Sequence, residues 1–241
     1  MGLFDRFFGN SNKSKPIAPE FRFDLEVVPG KTALKELDKL ITKGKEQGFS
    51  PVIVGGEDEF AYFNDQFDIN EEPLEEILLA AKTVDVKDFF KQRINEDSDY
   101  YSVEAANPEP DSSPKGGLTA HFNRLGRSPL KWVFIAKIPD RVNCNIPAHL
   151  SYGNWNECPS PEEHVAIWKY WNEKYGAEIV CVTHDIIEAK VSNPPMTYEE
   201  ALLLAKEQFI YCADIVHQGV ESLENLAALL QNGSTWYFWW D

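Results

Sequence analysis

Five aromatic side chains stand in an unbroken row near the C-terminus: Trp236, Tyr237, Phe238, Trp239 and Trp240. Successive side chains of a strand point to opposite faces, so the five cannot share one surface, and at least two must cover a second one, on a helix or a partner. Trp168, Trp171 and Tyr175 recur at helical spacing and read as core. A chain carrying this much bulky apolar surface in its last third has to fold around it.

The elements before that strand are written with unequal clarity. Ser160–Pro161–Glu162–Glu163 is a capping box with proline at the first helical position, and Thr197 with Glu200 is a second. They predict helices over 161–175, closed by Gly176, and from 198 to about residue 212; Ser222 opens a shorter one through Leu230. Residues 130–138, 177–183, 186–191 and 234–240 read as strands, with His184 and Asp185 in the turn of a hairpin. Upstream, residues 21–28 alternate like a strand, and Leu34, Leu37, Leu40 and Ile41 keep helical spacing after Thr32, a plausible cap. That helix should stop at Gly44 or Gly48, before a buried strand over 51–54. Pro73 starts a helix through Leu79, and Asp85 caps another through Ile94. Residues 107–117 concentrate Pro, Ser, Asp and Gly without apolar period and read as a linker. The expectation is an α+β fold: a small, mostly antiparallel sheet covered by helices in a C-terminal domain over 129–241. A smaller α/β region over 21–104 precedes it, with a linker over 105–128 and a flexible segment over 1–20 in which Leu3, Phe4, Phe7 and Phe8 line one side of a short anchor.

Charge limits the partners. The net charge is −16. Residues 1–50 hold nine basic and seven acidic side chains, residues 51–120 five and 17, and residues 121–241 nine and 15, for net values of +2, −12 and −6. So acidic a chain lacks the dense Lys/Arg footprint that phosphate backbones require, which argues against nucleic acid. No apolar run approaches the ~18 residues of a membrane span, and no export signal is visible, so a cytoplasmic protein with four reduced cysteines is expected. The acidic region 57–111 would steer a basic protein partner toward itself.

Motifs that carry chemistry are sparse. Val28–Pro29–Gly30–Lys31–Thr32 suggests a phosphate loop, but Leu25 stands where the motif needs its first glycine, so a turn is expected instead. Three Cys/His couples, Cys158 with His164, Cys181 with His184 and Cys212 with His217, lack the tight paired spacing of a zinc site, and neither metal nor cofactor is expected. A thiol nucleophile, Cys158 or Cys212 with a histidine base, is a further reading. His184, Asp185 and Glu188 gather titratable groups around one turn, where acid–base chemistry competes with a turn aspartate and a glutamate facing water.

Several of these segments together resemble one family. Residues 152–164 (YGNWNECPSPEEH), Tyr175–Gly176–Ala177–Glu178, Thr183–His184–Asp185 with Glu188, Pro194–Pro195, residues 211–216 with Gln218–Gly219, and the ending Trp236 to Asp241 are similar, in order, to the bacterial family of domain of unknown function 4253, over roughly residues 130–241. The resemblance implies a bacterial cytosolic protein and brings no reaction, cofactor or catalytic residue with it.

Two functions follow as expectations. The first is a non-enzymatic protein-binding module, of the immunity or toxin-neutralising kind, that meets a basic partner through 57–111. The second is a small hydrolase or metal-assisted enzyme in the C-terminal domain, with His184, Asp185, Glu188 and His164 as catalytic candidates. Asn154, Trp155, Asn156, Cys158, Asp214 and His217 are its binding candidates, and its groups would have to converge on one pocket.

Overall fold

The computed structural model describes residues 15–98, 100–101, 117–123 and 128–241. The N-terminal aromatic segment and most of the linker lie outside them. One six-stranded, mostly antiparallel sheet organises the chain. Its strands are β1 (Asp24–Val28), β2 (Ser50–Ile53), β3 (Val133–Ile138), β4 (Ala177–Val182), β5 (Ile186–Val191) and β6 (Thr235–Trp239). Their spatial order is β1-β3-β2-β4-β5-β6, and only the β2–β4 pair is parallel. The division expected at 105–128 therefore does not separate two sheets. β3, from beyond the linker, sits between β1 and β2, and β2 is wedged between β3 and β4.

Helices cover both faces. The helix α1 (Ala33–Gln47) lies on one, with Leu37 fully buried against Ile53, Ile135 and Val180. It ends at Gly48, whose φ of +86° costs a side-chain-bearing residue a clash that glycine avoids. Thr32 does not cap α1: its hydroxyl donates to the Pro29 carbonyl within a 3-10 turn over Gly30–Thr32. Gly30 is explained by close packing, since a Cβ there would sit 2.1 Å from the Leu130 carbonyl oxygen.

The opposite face carries α6 (Pro161–Tyr175) and α7 (Tyr198–Tyr211), both opened by the expected capping boxes. Trp236, Phe238 and Trp240 point into this side, and Trp171 stacks on Phe238 at 5.6 Å with an 8° tilt. Burying an aromatic side chain removes about 150–250 Å² from water, worth roughly 4–6 kcal/mol gross. The remaining two aromatics of the row turn to the other face, where Tyr237 is 41% exposed and Trp239 donates its indole N–H to Asp185.

Around this side lie α2 (Glu59–Ile69), α3 (Leu74–Ala81), α4 (Val86–Glu96), the short α5 (Ile146–His149) and α8 (Leu223–Leu230). The sequence reading had no helix at α2, although Phe60, Phe63 and Phe67 are its buried stripe. Asp85 caps α4 by accepting from the N–H groups of Lys87 and Asp88, and Pro73 precedes α3 as its N-cap. All four cysteines are free and buried. Among the described residues no helix is long and apolar enough to cross a membrane.

Candidate functional site

A cleft of about 590 Å³ opens between α4 and the loop 153–160 that leads into α6. The loop is bent by left-handed residues: Ser151, Gly153, Asn154 and Asn156 have φ of 49°, 117°, 70° and 43°. Only glycine fits at 153, where a Cβ would lie 1.9 Å from the Pro159 carbonyl oxygen. Side-chain amides from the end of α2 hold the shape: Gln66 donates to the Gly153 carbonyl at 2.8 Å and Asn70 to the Ser151 carbonyl at 2.7 Å. Asn154 in turn donates to Asn70 at 3.2 Å.

From α4, Arg93 crosses to the loop, donating to the Glu157 carbonyl at 2.6 Å and carboxylate at 3.1 Å, and to the Tyr101 hydroxyl at 2.9 Å. Its charge is thereby committed, while Glu96, Asp97, Glu157 and Glu163 also line the cleft. Burial, then the charges of Asp214 and Glu157 among others, push the Tyr100 phenol up to about 12.

Cys158 lies on the cleft wall, and behind it runs a buried polar chain. The Cys158 Sγ is 3.4 Å from His164 Nε2, His164 Nδ1 is 2.5 Å from the Tyr211 hydroxyl, and Trp168 donates to that hydroxyl at 2.9 Å. Burial, helped by Arg93, lowers His164 to about 3, so its imidazole is neutral at neutral pH; burial likewise raises the Cys158 thiol well above its ordinary value. Hydrogen-bond accounting then assigns the proton. Tyr211 accepts from Trp168 and donates its own proton to His164 Nδ1, which leaves Nε2–H pointing at sulfur. In that tautomer the imidazole is a donor to Cys158 and has no lone pair with which to take its proton.

The other sequence-derived residues fall in distinct places. Asn154, Asn156 and Cys158 line the cleft, whereas Trp155 packs edge-on against Tyr152 at 4.8 Å. Asp214 and His217 adjoin it: His217 donates to the Tyr100 carbonyl at 2.9 Å, and Asp214 accepts from the Asp241 N–H at 3.0 Å, while Asn156 holds the Asp241 carbonyl at 2.6 Å. His184 and Asp185 form a separate cluster. Glu59 accepts from the His184 backbone N–H at 3.0 Å and lies 2.7 Å from its Nδ1, and Asp185 lies 3.3 Å from Nε2. Tyr62 stacks on that ring at 4.3 Å.

Glu188 does not face water. It is fully buried on the α1 side of the sheet, where it accepts from Thr119 N–H at 2.5 Å, Thr119 hydroxyl at 2.6 Å and Ala120 N–H at 3.1 Å. Residues 117–123 thus form a strap over β4 and β5, with Leu118 and Ala120 packed into the α1-side core. Of the three Cys/His couples, Cys158 and His164 meet through their side chains, and among the described residues no group of three His, Cys, Asp or Glu is placed to hold a metal. Arg93, Tyr100, Tyr101 and Glu59 escaped the sequence reading, because nothing local marks a residue whose partner lies across the fold.

A mixed α/β protein with an open, mostly antiparallel sheet and a loop-walled cleft is the class that this geometry defines. The family model described as Domain of unknown function (DUF4253) matches residues 134–241, the C-terminal part of the chain. The match runs from β3 to the end, so the cleft draws the 153–160 loop from inside it and Arg93, Tyr100 and Tyr101 from outside. No curated protein and no solved structure matches the chain.

Proposed function

We propose that this chain is a non-enzymatic binding module that receives a basic protein on the acidic surface of α2 and α3, in the manner of an immunity or neutralising protein. The observation that carries the reading is the stretch from Glu57 to Ala81, with nine carboxylates and no lysine or arginine. Glu57, Asp58, Asp65, Asp68, Glu71, Glu72, Glu75 and Glu76 are exposed, and Ile69 and Leu79 stand out among them at 74% and 63% exposure.

That surface is held rigidly. Phe60, Phe63 and Phe67 anchor α2 in the core, His184 ties its first turn to the β4–β5 hairpin through Glu59, and Gln66 and Asn70 tie its last turn to the loop. A preorganised face loses little freedom on binding, and a field of one sign speeds encounter with an opposite one. The catalytic candidates support the enzyme alternative less well, since His164, the His184–Asp185 pair and Glu188 occupy three separate environments.

The test is capture on the immobilised full chain. A basic protein should be retained at about 50 mM salt and released at about 500 mM, as screening shortens the field. Its affinity should fall by about tenfold or more when Asp65, Asp68 and Glu72 are replaced by lysine. Retention of no basic protein at low salt, or equal binding by the triple variant, refutes the proposal.

A further inference from the structure

The α4 cleft has a chemistry of its own. Of the charged groups that line it among the described residues, Glu96, Asp97, Glu157 and Glu163 are acidic and Arg93 alone is basic. The positive charge of Arg93 is already paired: its Nη2 donates to the Glu157 carbonyl and carboxylate and its Nε to the Tyr101 hydroxyl. Glu163 also accepts the Ser160 N–H of the capping box, as Asp97 accepts the Tyr100 N–H at 2.9 Å. Glu96 and Asp97 are exposed at the end of α4, and among the described residues neither is in an ion pair. Aromatic rings from Phe89, Tyr100 and Tyr101 complete that wall, with Tyr100 and Tyr101 edge to face at 5.1 Å.

Arg93 shows what those rings accept: its guanidinium carbon lies 5.4 Å from the Phe89 ring centroid and 5.8 Å from that of Tyr101. We infer that the cleft is a socket for a second such cation, an alkyl guanidinium or ammonium group seated among Tyr100, Tyr101, Glu96 and Asp97. The cleft volume of about 590 Å³ exceeds that of an arginine or lysine side chain.

The cation has two sources, a free small amine or a basic side chain of a partner. The second rests on the proposed function, to which the cleft is joined by the Asn70–Asn154 contact; the first does not. The test separates them. Agmatine, spermidine and the neutral urea analogue of agmatine are titrated into the full-length protein while backbone amide and tyrosine ring shifts are followed. The two cations should shift Tyr100, Tyr101, Asn154 and Asn156 with dissociation constants of about millimolar, and the urea should not. The double variant Glu96→Gln/Asp97→Asn, which keeps an acceptor for the Tyr100 N–H, should bind the cations about fivefold or more weakly. The variant Asp65→Asn/Asp68→Asn should bind them as the parent does, so failure of the acidic-face proposal leaves this result standing, and the reverse. Displacement of agmatine by an arginine-rich peptide assigns the socket to a partner side chain; binding of agmatine and spermidine without such displacement assigns it to free amines. Shifts confined to α2 and α3, equal binding of the urea, or unchanged affinity in the Glu96/Asp97 variant overturns the inference.

Discussion

Replacing Glu188 with glutamine should loosen the strap formed by residues 117–123. The carboxylate gathers three donors inside the protein, two at one oxygen and the Ala120 N–H at the other. Glutamine keeps one acceptor oxygen but brings an NH₂ group against the Ala120 N–H, so two donors face each other. Losing a hydrogen bond to a charged group and stranding a buried N–H costs about 2–3 kcal/mol. Alanine strands both backbone N–H groups and opens a void, for about 3–5 kcal/mol. At roughly 2–4 °C per kcal/mol for a protein of this size, the glutamine variant should melt roughly 4–12 °C below the parent. Urea unfolding should show a lower midpoint with an unchanged slope, and hydrogen exchange at the Thr119 and Ala120 amides should speed up more than exchange in β3. A glutamine variant within about 0.5 kcal/mol of the parent, or unchanged exchange at those two amides, would refute the reasoning.

Three further outcomes are expected. Residues 129–241 expressed alone should give no cooperative melt by calorimetry, because β3 and β4 are joined through β2, which that fragment lacks. Tyr211→Phe should cost about 2–4 kcal/mol in urea unfolding, since it leaves the Trp168 indole N–H and His164 Nδ1 without their shared partner. His164 is held near 3 when folded against 6.5 in a free chain, so between those values the unfolded state binds the extra proton and stability rises with pH. Its contribution is complete above about pH 6.5 and is lost toward pH 3 at up to about 1.4 kcal/mol per unit; His121, also lowered by burial, adds the same sign. A His164→Gln variant should show a flatter stability profile between about pH 6 and about pH 4 than the parent, measured by urea midpoints, and an identical profile would sink the assignment of a neutral buried imidazole.

What the sequence disclosed was mostly local chemistry. Ser160 with Glu163 and Thr197 with Glu200 mark helix starts because each box satisfies its own orphan N–H groups within four residues. The His184–Asp185 turn was readable for the same reason. The helix α2 carried a legible stripe in Phe60, Phe63 and Phe67, obscured by the charges between them. Pairing across the chain left no such mark: nothing near Val52 says that its neighbour is Ala136. Alternation in β5 separated Glu188 from Ile187 and Ala189 correctly, yet its burial depends on a strap that follows a segment with no apolar period. In the site, Asn154, Asn156 and Cys158 were found through their loop, while Arg93 and Tyr101 became visible only once the fold set them opposite it.

The wedging of β2 between β3 and β4 also fixes an order of events during synthesis. As the chain leaves the ribosome, β1, α1 and β2 emerge with none of their sheet partners, since Val28 pairs with Val133 and Ile53 with Cys181. Until those residues appear, the apolar side chains of β2 have only the helices made with it to cover them, α1 on the Ile53 side and α2 on the Val52 side, and the strand offers two open edges to any neighbouring chain. A pause in translation before residue 133 would therefore prolong the one interval in which this protein is most open to aggregation, and chaperone dependence should track the rate at which the second half is made.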